Sequence, residues 1–127
     1  MSELPAMRLE LVPIGVTDIE RTKAFYLKAG FDLNVDVEPM PGMRVIQFTP
    51  PGSACSIVFG AGMEGISNMP PGVLKGLHLV VDDIATARAA LIERGVEVGE
   101  VMDMQSVLYA GFDDPDGNTW LLQQFPH

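Results

Sequence analysis

Two stretches of the chain repeat one order of apolar and polar positions. Residues 16–33 read VTDIERTKAFYLKAGFDL and residues 81–98 read VDDIATARAALIERGVEV, and they align without gaps at an offset of 65. Val16/Val81, Asp18/Asp83, Ile19/Ile84, Ala24/Ala89 and Gly30/Gly95 are identical. Asp18 and Asp83 are suited to cap a helix, because a carboxylate there accepts the free N–H groups of the first turn. Gly30 and Gly95 fall where a helix ends in a left-handed residue. Each stretch therefore predicts a strand, a short turn, a helix of about three turns and a second strand.

Period-2 runs fill the rest. In the first half DLNVDVE (32–38), MRVIQFT (43–49) and ACSIVFG (54–60) are separated by PMPG and PPGS, both turn-forming. In the second half VEVGEVM (96–102), SVLYAGF (106–112) and NTWLLQQF (118–125) are strand-like, with DDPDG closing the last hairpin. Pro115 presets one turn residue and Gly117 accepts positive φ. The pattern predicts an α+β fold with two tandem βαβββ modules in one domain spanning residues 1–127. Module one covers about 7–60, a Gly/Pro-rich linker 61–75, and module two about 76–125.

Strand alternation sorts the side chains by face. In GLHLVV, Leu77, Leu79 and Val81 belong to a helix-covered face, leaving Gly76, His78 and Val80 on the other. The first module divides likewise, with Val12, Ile14 and Val16 toward the helix and Leu11 and Pro13 opposite. Two such curved sheets side by side predict an open trough. Gln47, Tyr109 and Gln123 are polar groups that alternation places in it, whereas Trp120 and Cys55 are assigned to the helix side.

Composition narrows the function. Seventeen acidic and eight basic residues give a net charge of −9, which repels phosphate backbones and argues against nucleic acid as a partner. The excess suits a cationic ligand only if carboxylates converge on a pocket; otherwise it is a solvated surface. Cys55 is the only cysteine, so neither an intrachain disulfide nor a CxxC metal site exists. No basic segment followed by an apolar run opens the chain, and no stretch approaches the roughly 20 apolar residues of a membrane span. A cytoplasmic protein without membrane contact is expected. DPDGN (114–118) does not continue as a calcium loop, because Thr119 and Phe125 stand where Gly and Glu are needed. Ser56 lacks a nucleophile-elbow context, and Cys55 lacks an activating histidine on its own face. Six methionines (40, 43, 63, 69, 102 and 104) lie in or beside loops, where gap filling or packing against a second copy explains them.

The segments IGVTDIERTKAFYLKAGFDL (14–33), LHLVVDDIATARAALIERGVEV (77–98) and FDDPDGNTWLL (112–122) together resemble the vicinal oxygen chelate superfamily of glyoxalases, extradiol dioxygenases, fosfomycin-resistance transferases and bleomycin-resistance proteins. The resemblance implies a trough-shaped small-molecule site and, in metal-dependent members, His or Glu ligands on the first and fourth strands of each module. Mapped by the resemblance, those positions are Leu11, Ser56, Gly76 and Leu121. None is a good donor for a divalent ion, so no cofactor is expected. His78 and Gln123 lie two residues beyond Gly76 and Leu121 on the same strand faces, too few donors to hold a metal tightly without others.

A metal-independent, glyoxalase/bleomycin-resistance-like binding protein is the first expectation, with Ser56, His78, Tyr109, Gln123 and Gln47 contacting a small, drug-like or cationic ligand. A glyoxalase-type lyase or isomerase is the alternative, with His78 as base or a displaced metal. A homodimer is expected from the resemblance; whether the modules pair within one chain or across a dimer is open. An accessory domain making protein contacts is the least favoured reading. His127, at the chain end, is expected to take no part.

Overall fold

A computed structural model describes residues 3–126. Ten elements follow one another: β1 (Leu11–Pro13), α1 (Ile19–Lys28), β2 (Asp32–Val37), β3 (Arg44–Thr49), β4 (Ser56–Ala61), β5 (Leu77–Val80), α2 (Ile84–Glu93), β6 (Met102–Met104), β7 (Val107–Asp113) and β8 (Thr119–Gln124). They form two four-stranded sheets, ordered β1-β4-β3-β2 and β5-β8-β7-β6. In each, the first strand runs parallel to the fourth and the other pairings are antiparallel. This is the predicted α+β arrangement of two βαβββ modules.

The caps act as their sequence indicates. Asp18 accepts the Arg21 N–H at 3.1 Å and Asp83 accepts the Thr86 N–H at 3.2 Å, satisfying donors that a first helical turn cannot pair. Gly30 and Gly95 follow the helices at φ +89° and +90°, a left-handed conformation that a Cβ disfavours.

One expected strand does not form. Of VEVGEVM (96–102) only Met102 enters a strand, as the first residue of β6, and residues 96–101 run as irregular chain. Val96 and Val98 still reach the core. However, the Arg88 guanidinium takes the carbonyls of Gly99 (2.7 Å) and Val98 (3.3 Å), leaving one backbone bond, Gly99 N to Gly111 O, to hold this stretch to β7. A side chain has replaced the ladder.

The helix-facing sides of both sheets share one core. Tyr26 of α1 is fully buried, with its ring 5.8 Å from Phe48 and 6.2 Å from Phe59 of the first sheet, and 6.0 Å from Trp120 of the second. Phe31 packs edge-on to Trp120, and Phe25 lies against Phe112. Trp120 is 3% exposed, in agreement with its assignment to the helix side.

A polar cluster sits inside this apolar junction. The Tyr26 hydroxyl donates to Asp114 Oδ2 at 2.8 Å and accepts from Trp120 Nε1 at 3.0 Å. Asp114 also accepts from Asn118 Nδ2 and from the backbone N–H groups of Asp116 and Asn118. Asn118 donates onward to the Gly15 carbonyl, while Asp116 holds Thr17, Arg21 and Thr22 at the start of α1. The DDPDG segment is thus the predicted hairpin turn, and it also clasps the other module, which its sequence did not announce. Gly15 is needed here, because a Cβ would stand 2.3 Å from the Pro70 carbonyl oxygen.

Burial first, then the neighbouring Asp114 carboxylate, pushes the Tyr26 hydroxyl far above the ordinary tyrosine range. Unfolded, the same tyrosine ionises near ~10. The folded state therefore binds a proton that the unfolded state has lost, and stability should fall as pH rises above about 10. Chemical denaturation of Tyr26→Phe is expected to show a loss of about 1–3 kcal/mol at neutral pH, from the orphaned Trp120 N–H and the under-bonded carboxylate. The variant should also lose the part of the alkaline decline that comes from this hydroxyl.

Candidate functional site

Because both helix-facing sides meet in one core, the opposite sides of the sheets lie outside it. They differ in access. On the first sheet Ser56 is 5% and Val58 2% exposed. On the second, His78 is exposed and Val80 is 64% exposed, with Leu121, Gln123, Tyr109 and Gly111 partly accessible beside them.

Register assembles the second face. His78 lies beside Leu121 across the parallel β5–β8 pair, and Tyr109 and Gly111 lie beside Gln123 and Leu121 across β7–β8. The His78 and Tyr109 rings meet edge-on, 6.0 Å between centroids. Gln123 Nε2 donates to the Tyr109 hydroxyl at 3.1 Å. Three of the candidate residues are therefore neighbours. Nδ1 of His78 is 2.5 Å from the Gly76 carbonyl oxygen, which can only accept. Nδ1 thus carries a proton, and in the neutral ring Nε2 presents its lone pair.

Ser56 and Gln47 lie on the outward side of the first sheet, in a separate group. Thr49 Oγ1 donates to Asn34 Oδ1 and lies 2.6 Å from Ser56 Oγ. Thr49 has one proton and gives it to Asn34, so Ser56 is the donor in the second contact. Asn34 sits where the β2–β3 register shifts between Leu33 and Val35, and Gln47 lies beside Val35 and Val58. Asn34 and Thr49 were missed in the sequence; the only signal was the polar interruption in DLNVDV. Cys55, half-buried at the entry to β4, has its Sγ 3.8 Å from the Ser56 carbonyl oxygen. His127 lies outside the described residues.

The register also corrects the assignment of one position. Leu11 lies beside Ser56, but His78 lies beside Leu121. Pro13, the repeat counterpart of His78, lies beside Val58, so Val58 and not Ser56 is the structural counterpart of Leu121. Gly76 and Ser56 have internal partners instead: the Gly76 N–H donates to Thr119 Oγ1 at 2.7 Å. The donor set at these positions is Leu, Val, Gly and Leu, which does not suit a divalent cation. Among the described residues no group of three or more His, Cys, Asp or Glu is gathered to hold one.

A cavity of about 540 Å³ opens along the outer edge of β5, reached by His78 and Val80 and walled by Ala87, Leu91 and Arg94 of the second helix region and by the Pro50–Ser53 turn. It lies toward the helix side and takes in neither Tyr109 nor Gln123. Its sequence signal was ATARAAL: alanines at 87 and 90 leave space beside the sheet that longer side chains would fill.

A family model described as the Glyoxalase/Bleomycin resistance protein/Dioxygenase superfamily matches residues 8–122. The chain belongs to this superfamily. TnmS3, described as an antibiotic binding protein from Streptomyces sp. CB03234, is 36% identical with a TM-score of 0.80, over 98% of this chain and all of that one. A glyoxalase/bleomycin resistance protein from the same strain is 38% identical with a TM-score of 0.74, over 92% of this chain and all of that one. Among curated sequences, the uncharacterized protein YetH of Bacillus subtilis (strain 168) is 28% identical over 89% of this chain and 94% of its own length. No helix among the described residues is long and apolar enough to cross a membrane.

The tautomer of His78 is open to direct measurement. Long-range ¹H–¹⁵N correlation spectra of the neutral ring are expected to place the proton on Nδ1. A ring protonated on Nε2 would mean that the Gly76 carbonyl does not hold it.

Proposed function

We propose that this superfamily member is a small-molecule-binding protein of the sequestering kind, working without a metal. One observation carries the reading: an accessible, largely apolar sheet face on which His78, Tyr109 and Gln123 are drawn together. Apolar ground with a few convergent polar groups is what a drug-sized ligand site requires. The donor-poor set of Leu11, Val58, Gly76 and Leu121 supports metal independence, and the likeness to TnmS3 supports a ligand of antibiotic type. The net charge of −9 favours a neutral or cationic molecule over an anion.

The reading includes a homodimer in the cytoplasm. Ser56, expected to contact a ligand, is buried and bonded to Thr49 on the sealed side of the first sheet, so the second sheet's face is what each copy would offer a ligand. Exposed Leu4, Met7 and Leu9 before β1, with Met102 and Met104 on β6, are apolar surface that association would cover.

Sequestration predicts stoichiometric binding in calorimetry, no turnover of the ligand, and an isotherm unchanged by chelator. After re-equilibration with nickel, zinc, manganese and iron, elemental analysis should find less than about a tenth of an equivalent of each; a full equivalent that survives dialysis would defeat metal independence. His78→Ala is expected to weaken binding while leaving the thermal midpoint within about 1–2 °C, as for an exposed residue away from the core. Catalytic turnover that vanishes in His78→Ala would instead establish an enzyme of lyase or isomerase type with His78 as base.

A further inference from the structure

Resting on that reading of the second sheet's face, we infer that the site selects for a ligand carrying an N–H or O–H donor and a neighbouring carbonyl acceptor, as in a cyclic amide. The polarity of the two central groups is fixed by their internal partners. The Gly76 carbonyl oxygen, 2.5 Å from Nδ1, takes the proton of the neutral His78 ring. Nε2 is left as an acceptor and can receive a donor hydrogen from the ligand.

Tyr109 has the opposite sense. Its oxygen already accepts from Gln123 Nε2 at 3.1 Å, and that bond does not consume the phenol's own proton. Tyr109 is therefore a donor toward a ligand acceptor. The two rings stand edge-on at 6.0 Å, so acceptor and donor are neighbours on one face. Leu121 lies between His78 and Gly111 in the register, and Gly111 adds no side chain to the floor. An apolar ring can lie there with its polar edge toward His78 and Tyr109.

This assigns Gln123 a positioning role and not direct selection of the ligand. It holds the Tyr109 oxygen through one lone pair, which leaves the phenol's own proton for a ligand acceptor. The Gly76 carbonyl does the corresponding work for His78. Selectivity then follows from unpaired groups: a ligand with an acceptor opposite Nε2 sets two lone pairs against each other, and a ligand without a donor leaves Nε2 desolvated and unbonded.

The test uses the intact protein and two matched probes, 2-quinolone and N-methyl-2-quinolone, with the fluorescence of the neutral dye Nile red as an independent report on whether the protein takes up an apolar molecule. The expected result is that 2-quinolone binds about tenfold more tightly than its N-methyl form, the worth of one neutral hydrogen bond, and perturbs the His78 and Tyr109 ring resonances. The preference should shrink toward unity in His78→Phe, and Tyr109→Phe should weaken both probes alike. Equal binding of the two probes with dye uptake intact would overturn the inference while leaving the binding reading in place. Absence of binding by probes and dye together would overturn both. The comparison on the unaltered protein stands even if a variant folds poorly.

Discussion

Asp114 carries the charge around which the two halves of the chain are joined. It is 5% exposed, and a carboxylate so placed is tolerated only when its lone pairs are met. They are met from both modules: by Tyr26 of α1, and by Asn118 with the backbone of its own turn. Tyr26 in turn accepts from Trp120, so the aromatic core and the polar hub share one residue. Sliding one module past the other would strip donors from a buried anion, a penalty larger than the loss of comparable apolar contact. The hub therefore fixes how the sheets dock as well as how firmly.

That docking decides where a site can be. Both helix-facing sides share one core, and of the two outward sides only the second is open; the cavity beside β5 is space left toward the helices. The first is sealed enough that Ser56 spends its proton on Thr49 and Thr49 spends its own on Asn34. The second keeps Val80 and His78 in contact with solvent. Access, more than residue identity, distinguishes the two modules.

Much of this was legible. The paired Asp caps and following glycines located both helices, and alternation placed Trp120 inside and His78, Tyr109 and Gln123 on one face. These features are local, or depend on strand period alone. What escaped depended on contacts distant in sequence. Arg88 dissolving the 96–101 strand, the two-residue slip that puts Val58 opposite the role of Leu121, and the bond from Tyr26 to Asp114 across 88 positions each require knowing which elements lie side by side. DDPDG has the composition of any tight turn, and nothing in it signals that one of its aspartates will be buried beneath a tyrosine from another module.

The positions that carry metal ligands in other members illustrate how such a fold can change use. Vacating them leaves backbone polar groups that still need partners. Here Thr119 serves the Gly76 N–H, and the Gly76 carbonyl serves His78. Leu121 supplies part-exposed apolar surface in place of a donor, and Val58 is buried. A single His substituted at Gly76 would not recover a metal site: φ there is +73°, a conformation that penalises any Cβ, and its fellow positions offer no nitrogen or carboxylate. With Thr119 and His78 both bonded to Gly76, placing metal ligands at these four positions would need several coordinated changes of backbone and partner together.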